Sequence, residues 1–188
     1  MSIHRLVIGI SGASGVGYGI RLLEVLSKLE IERHLTITKA GEKVIELETE
    51  TPITEIKALS TRYYNVDDVS ASISSGSFPV YGMVVIPCSM KSLAGIASGY
   101  SGNLLLRAAD VTIKERRPLV LVVREMPFNA LHLQNMLKLV SIGVTILPAA
   151  PAFYHKPKTI NDLVDHVVGK VLDILNIKHN LYQRWSRN

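Results

Sequence analysis

The stretch VIGISGASGVGYGIRLLEVL, residues 7–26, decides the fold. An unbroken apolar segment enters a turn of Gly, Ser and Ala, and apolar residues at helical spacing follow. A strand without polar alternation is buried on both faces, as in a parallel sheet covered by helices. A glycine-rich turn at the carboxyl end of such a strand lets backbone N–H groups approach an anion at the start of the next helix. The turn does not carry G-x-G-x-x-G after the strand and no P-loop lysine follows, so neither dinucleotide binding nor nucleotide hydrolysis is indicated. Taken alone it reads equally as a phosphate or cofactor cradle and as a tight turn with Ser14 as helix N-cap.

Similar apolar runs recur at 5–10, 33–38, 82–88, 118–123 and 143–148, which predicts five buried strands. Helical spacing predicts helices over 19–29, 40–48, 103–115, 131–142 and 159–175. This alternation predicts a doubly wound α/β fold, Rossmann-like or flavodoxin-like, with a parallel sheet and helices on both faces. Residues 51–79, with their small polar stretch SASISSGSF, fit the pattern least and read as a long loop over one end. The 188 residues suit one domain, with a C-terminal tail from about 177 docking on the core or on a neighbouring subunit.

Composition narrows the classes of function. A formal charge of +5, from 21 Lys and Arg against 16 Asp and Glu, suits acidic partners or phosphorylated small molecules. No run of five like charges appears and aromatics make up 6%, which argues against nucleic acid as a partner. The opening residues form neither a secretory signal nor a membrane span, and one cysteine, Cys88, suits a reducing compartment, so a cytoplasmic, membrane-free protein is expected. The histidines at 4, 34, 132, 155, 166 and 179 form no metal-ligand pair at helical spacing, and none is assigned to a metal.

In doubly wound sheets ligands sit beyond the carboxyl ends of the strands. Those ends deliver Ser11 to Gly15, then Thr38 and Lys39, then Cys88 to Ser92, then Arg124 and Glu125, and finally Tyr154, His155 and Lys156. Hydroxyls and charges from five strand ends therefore have one place to converge. Cys88 itself reads as a buried small thiol. Arg107 and Lys114, seven apart, share a helix face that is either solvated or phosphate-binding, and Arg116 and Arg117 belong to the turn that follows.

Over most of its length, from GISGASG through PCSMKSL, RAADVTIKERRPLVLVVRE and LPAAPAFYHKP to RW near the C-terminus, the sequence resembles the flavin prenyltransferases, the UbiX-type enzymes within the cysteine decarboxylase-like flavoproteins. The resemblance implies an FMN-binding subunit in a dodecamer with active sites at subunit contacts. It further implies metal-independent transfer of the dimethylallyl group of dimethylallyl monophosphate to N5 and C6 of reduced FMN. The product, prenylated FMN, would serve a UbiD-type decarboxylase.

By the same resemblance, Gly12, Ala13, Ser14, Thr38, Ser89, Met90, Lys91, Ser92 and Arg124 match flavin-binding positions. Thr38 stands where Ser is frequent, and Ser92 where Thr is frequent. Ser14, near N5, and Glu48, Lys114 and Glu125 match positions close to the chemistry, with Glu125 paired to Arg124. Arg107, Lys114, Tyr154 and Lys170 match the grip on the donor's phosphate, and Trp185 matches the residue that closes over the allyl group. Lys170 departs from the Arg usual in relatives, which keeps the charge and loses the bidentate fork. Two other readings stay open: an FMN-dependent decarboxylase of a cysteinyl or aromatic acid, and a passive FMN carrier. The decarboxylases' catalytic His and Asn-Met motif are not found in this sequence.

Overall fold

A computed structural model describes residues 5–185. In chain order it contains β1 (Arg5–Ile10), α1 (Val16–Ser27), β2 (Glu32–Ile37), α2 (Lys39–Glu48), α3 (Ile53–Ala58) and β3 (Arg62–Asn65). A 3₁₀ turn at Ser72–Ser74 leads to β4 (Gly82–Cys88), α4 (Met90–Ala97), α5 (Leu104–Lys114), β5 (Leu119–Val123), α6 (Ala130–Val140), β6 (Thr145–Pro148) and α7 (Ile160–Ile174). The six strands form one sheet in the order β3-β2-β1-β4-β5-β6 with every pair parallel. This is the doubly wound Rossmann order, whose winding reverses between β1 and β4.

Two expectations need correction. Residues 51–79 are not a long loop, because α3, β3 and the 3₁₀ turn lie within them, and the strands number six among the described residues. β3 extends the sheet beyond β2, pairing Leu35 with Tyr63 and Thr36 with Tyr64. In β3 only Tyr64 is buried, so the short edge strand has no aliphatic run to announce it. Helix α4, which helical spacing does not predict, starts within two residues of β4 and is capped by Ser89.

The pleat divides the core. Leu6, Ile8 and Ile10 of β1 face Leu22, Leu23 and Leu26 of α1 and Val168 and Leu172 of α7. Val7, with Met83 and Val85 of β4, faces the opposite layer of Leu93 from α4 and Leu105 and Ala109 from α5. All seven residues of β4 are buried. Each fully buried Leu, Ile or Val contributes roughly 1.5–3 kcal/mol. This double layer therefore supplies most of the driving force and fixes the carboxyl ends of the strands as one rim.

The sixth helix departs from this pattern. Leu139 is its one buried residue, while Leu131 and Leu137 are 68% and 71% exposed and Leu133 and Val140 are also open, as is Ile142 just beyond the helix. This apolar face adjoins the partly exposed edge strand β6. Among the described residues no helix is long and apolar enough to cross a membrane.

Candidate active site

At the reversal point, the hydroxyl of Ser11 joins the loops after β1 and β4. Its Oγ donates to the Pro87 carbonyl at 2.9 Å and accepts from the Ser89 amide at 2.8 Å. Ser89 then caps α4, its Oγ accepting from the Ser92 amide at 3.3 Å and donating to Ser92 Oγ at 3.2 Å. The positive end of the α4 dipole thus opens beside the β1 turn, where an anion is favoured. Lys91 is exposed, whereas Met90 and Ser92 are buried with α4 against the sheet.

In the turn, Gly12 packs on Ala40, where any side chain would collide. Gly15 adopts a left-handed φ of 94° and is the N-cap of α1. Ser14 is therefore not the cap, which corrects that reading of the turn. The cap comes from another helix: Glu48, at the end of α2, accepts from the Gly15 and Val16 amides at 2.8 and 3.1 Å. Ala13 is buried and Ser14 is exposed. Thr38 caps α2 by accepting from the Gly41 amide at 3.0 Å, so its hydroxyl proton remains free to donate.

Arg124 reaches across from β5 and donates through Nε to the Ser14 carbonyl at 3.1 Å. The Tyr18 ring lies nearby; burial raises its phenol pKa and the Arg124 charge opposes that rise. Glu125 accepts from the Met126 amide at 3.0 Å. Arg124 and Glu125 thus have different partners, and no ion pair joins them among the described residues. Val123 to Phe128 and Pro148 to Ala150 line a cleft of about 400 Å³ at this rim. A larger hollow, about 680 Å³, lies at the amino ends of the strands near Arg5, Arg33 and Tyr81. None of the candidate residues lines it. Arg5 is bonded to Glu32 and Arg33 to the Leu59 and Ile31 carbonyls, so its guanidinium groups are already engaged.

The remaining candidates fall in two other places. Tyr154 meets Trp185 edge to face, ring centroids 5.4 Å apart, and Lys170 stands on the neighbouring face of α7 with Asp173 3.7 Å away. Arg107 bonds Asp110 at 2.8 Å and the Ser74 carbonyl at 3.3 Å. Lys114 contacts Glu115 at the end of α5 that leads into the amino end of β5. Among the described residues no hydrogen bond, ion pair or ring contact joins either group to the β1 turn. One chain therefore presents three separated portions of the candidate site.

Tyr18 and Asp173 were not among the candidates, nor was His166, whose Nδ1 accepts from the Ala152 amide at 3.4 Å. Ser11 stood in the quoted turn, but its bridge depends on a strand 76 residues away. Cys88 is fully buried, and burial pushes its thiol up to about 12, which makes it inert at neutral pH.

A parallel doubly wound sheet whose reversal point carries a capped helix N-terminus, hydroxyl donors and an arginine defines a class of protein that binds a phosphorylated cofactor at the strand ends. The Flavoprotein family matches residues 1–177. The flavin prenyltransferase UbiX of Methanocaldococcus jannaschii is 50% identical over 182 residues, 97% of this chain and 98% of that protein. The crystal structure of AnUbiX (PadA1) in complex with FMN and dimethylallyl pyrophosphate superposes with a TM-score of 0.97 at 43% identity, covering 99% of both chains. The dodecameric FMN-dependent UbiX-like decarboxylase from Escherichia coli O157:H7 superposes with a TM-score of 0.96 at 47% identity, covering 97% of this chain and 100% of the other. The chain belongs to the flavoprotein family and, within it, to the UbiX-type flavin prenyltransferases.

Proposed function

We propose that this chain joins the dimethylallyl group of dimethylallyl monophosphate to reduced FMN, and that the prenylated FMN passes to a UbiD-type decarboxylase. The observation that carries this reading is the near-complete match to a flavin prenyltransferase, with the quoted motifs at the strand ends where such a fold binds ligands. The residues present fit FMN. Hydroxyls of Ser14, Thr38 and Ser89, the α4 N-terminus and the Arg124 cation suit a phosphate and a polar ring edge, beside the apolar Ala13.

When bound, reduced FMN supplies the nucleophilic N5 and C6. The protein's task is to hold the donor and manage its charges. Arg107, Lys114 and Lys170 bind the phosphate and stabilise it as it departs with the electrons of the C–O bond. The aromatic pair Tyr154 and Trp185 borders the cation-like allyl fragment and keeps water away from it. Glu48 and Glu125 provide carboxylates that would relay protons, since the second bond needs a proton delivered to the remaining double bond as well as one removed from C6.

Because these groups occupy three portions of one chain, the complete site requires several copies to meet, in a homo-oligomer that we take to be a dodecamer. The apolar face of α6 is the surface that such contacts cover. We place the protein in the cytoplasm, a reducing compartment in keeping with its single buried cysteine.

Anaerobic incubation of the purified protein with FMN, dithionite and dimethylallyl monophosphate, followed by mass spectrometry of the released flavin, tests the activity. One added prenyl unit is the expected result. Unmodified FMN recovered from folded protein would turn the reading to a decarboxylase or a carrier, which turnover of a cysteinyl substrate would separate.

A further inference from the structure

The segment after α7 turns back along the helix and is gathered by one carboxylate. Asp173 Oδ1 accepts from His179 Nε2 at 3.1 Å and from an Arg184 Nη at 2.6 Å, and Oδ2 accepts from the Tyr182 hydroxyl at 2.5 Å. Three residues of the returning segment thus share one side chain of α7. The helix is notched to receive them. At Gly169, one turn before Asp173, a β-carbon would strike the Tyr182 ring at 2.6 Å and the His179 ring at 2.8 Å.

From this anchor a line of ring contacts leads to the candidate aromatic pair. Tyr182 packs on His166 at 4.7 Å, His166 meets Tyr154 at 6.0 Å, and Tyr154 meets Trp185 at 5.4 Å. His155 stacks on His166 at 5.1 Å with the rings 4° from parallel. Burial opposes charge on Asp173, yet bonds from Arg184, Tyr182 and His179 outweigh it and hold the carboxyl well below its usual range. Lys170, one turn earlier on the same helix, stands 3.7 Å from Oδ2. That distance provides Coulomb attraction without occupying an N–H donor.

We propose that Asp173 is a positioning residue for prenyl transfer: it docks the C-terminal segment so that Trp185 meets Tyr154, and it steers the Lys170 ammonium while leaving its donors for the phosphate. This rests on the prenyl-transfer reading. Asp173 touches no reacting atom itself. Its removal changes where two substrate-facing groups stand, so the loss appears in the donor's KM more than in FMN affinity.

The test is Asp173→Asn in the full-length protein, beside the conservative Asp173→Glu and a Tyr182→Phe/Arg184→Gln double variant that leaves α7 intact. Trp185 is the single tryptophan, so its fluorescence anisotropy reports docking directly. Expected for Asp173→Asn and the double variant are lower anisotropy, faster tryptic cleavage after Lys178, and a KM for dimethylallyl monophosphate raised about tenfold, the order of a lost charge-assisted contact. FMN affinity is expected to stay within about twofold, and Asp173→Glu to recover most of the anisotropy. Unchanged anisotropy in both variants, a freed segment with unchanged KM, or equal weakening of FMN and donor overturns the proposal. If Asp173→Asn does not fold, the double variant decides by the same readouts. A wild-type protein inert toward the donor overturns the prenyl-transfer reading, while anisotropy and proteolysis still decide the docking.

Discussion

Glu48 caps a helix to which it does not belong: its carboxylate, at the end of α2, receives the Gly15 and Val16 amides at the start of α1. The same residue is a candidate for proton transfer, and the two roles separate by substitution. Glu48→Gln keeps an oxygen that accepts both amides and removes the charge. We expect thermal stability to change little, FMN binding to persist, and most prenyl transfer to be lost. Glu48→Ala adds the loss of the cap, about 1 kcal/mol. Unchanged turnover of Glu48→Gln would leave the residue with capping alone.

Ser11 makes a sharper stability prediction. It is buried and satisfies both the Pro87 carbonyl and the Ser89 amide. Ser11→Ala leaves the Ser89 amide without that partner, at a cost of roughly 1–3 kcal/mol. Urea unfolding should show the midpoint falling at constant slope, and the FMN dissociation constant should rise because α4 loses its tether. An unaltered flavin affinity would detach Ser11 from the cofactor site.

The central strands were legible for one reason: aliphatic runs buried on both faces, as in β1, β4 and β5, cannot be disguised. β3 escaped because RYYN has no aliphatic residue and buries one side chain. α4 escaped because it is short and rich in small residues, and its cap, Ser89, reads only as a flavin-binding position. The site was legible in residue types at strand ends and not in their grouping, since Arg107 and Lys114 share a helix face away from the β1 turn. Asp173 had no signal at all. An acid on an amphipathic helix is ordinary until a returning segment places His179, Tyr182 and Arg184 on it.

Acid should weaken the fold in stages. Burial lowers the pKa of both His34 and His166 from the ordinary 6.5, and hydrogen bonding to Glu32 only partly offsets this for His34. The unfolded chain then takes up protons more readily than the native one. Stability is complete above the unfolded value of 6.5 and is lost as pH falls through the lower folded values. Asp173, also lowered, adds a second loss below the ordinary 3.8. Urea midpoints between about pH 7.5 and pH 5 should decline, and His34→Phe should flatten the first stage. A flat profile for the parent protein would contradict these shifts.

Charge placed on α6 should take the assembly apart. Leu137 is 71% exposed in the single chain, and Leu137→Asp would bury a carboxylate in any contact that covers this face. Sedimentation should show smaller species with native circular dichroism. Prenyl transfer should fall with the assembly, because Arg107 and Lys114 stand apart from the β1 turn within one chain. A dissociated variant with full activity would mean that one subunit suffices.

The register that pairs Leu6 with Gly82 carries a consequence for how the protein comes into being. The two loops joined by Ser11 are made far apart in time on the ribosome, and neither the first third of the chain nor the remainder contains the crevice. Closing a contact of such long range is slow compared with forming the helices around it. The flavin site therefore does not exist until both stretches have been made and joined, so FMN is held only by a chain that has closed this contact.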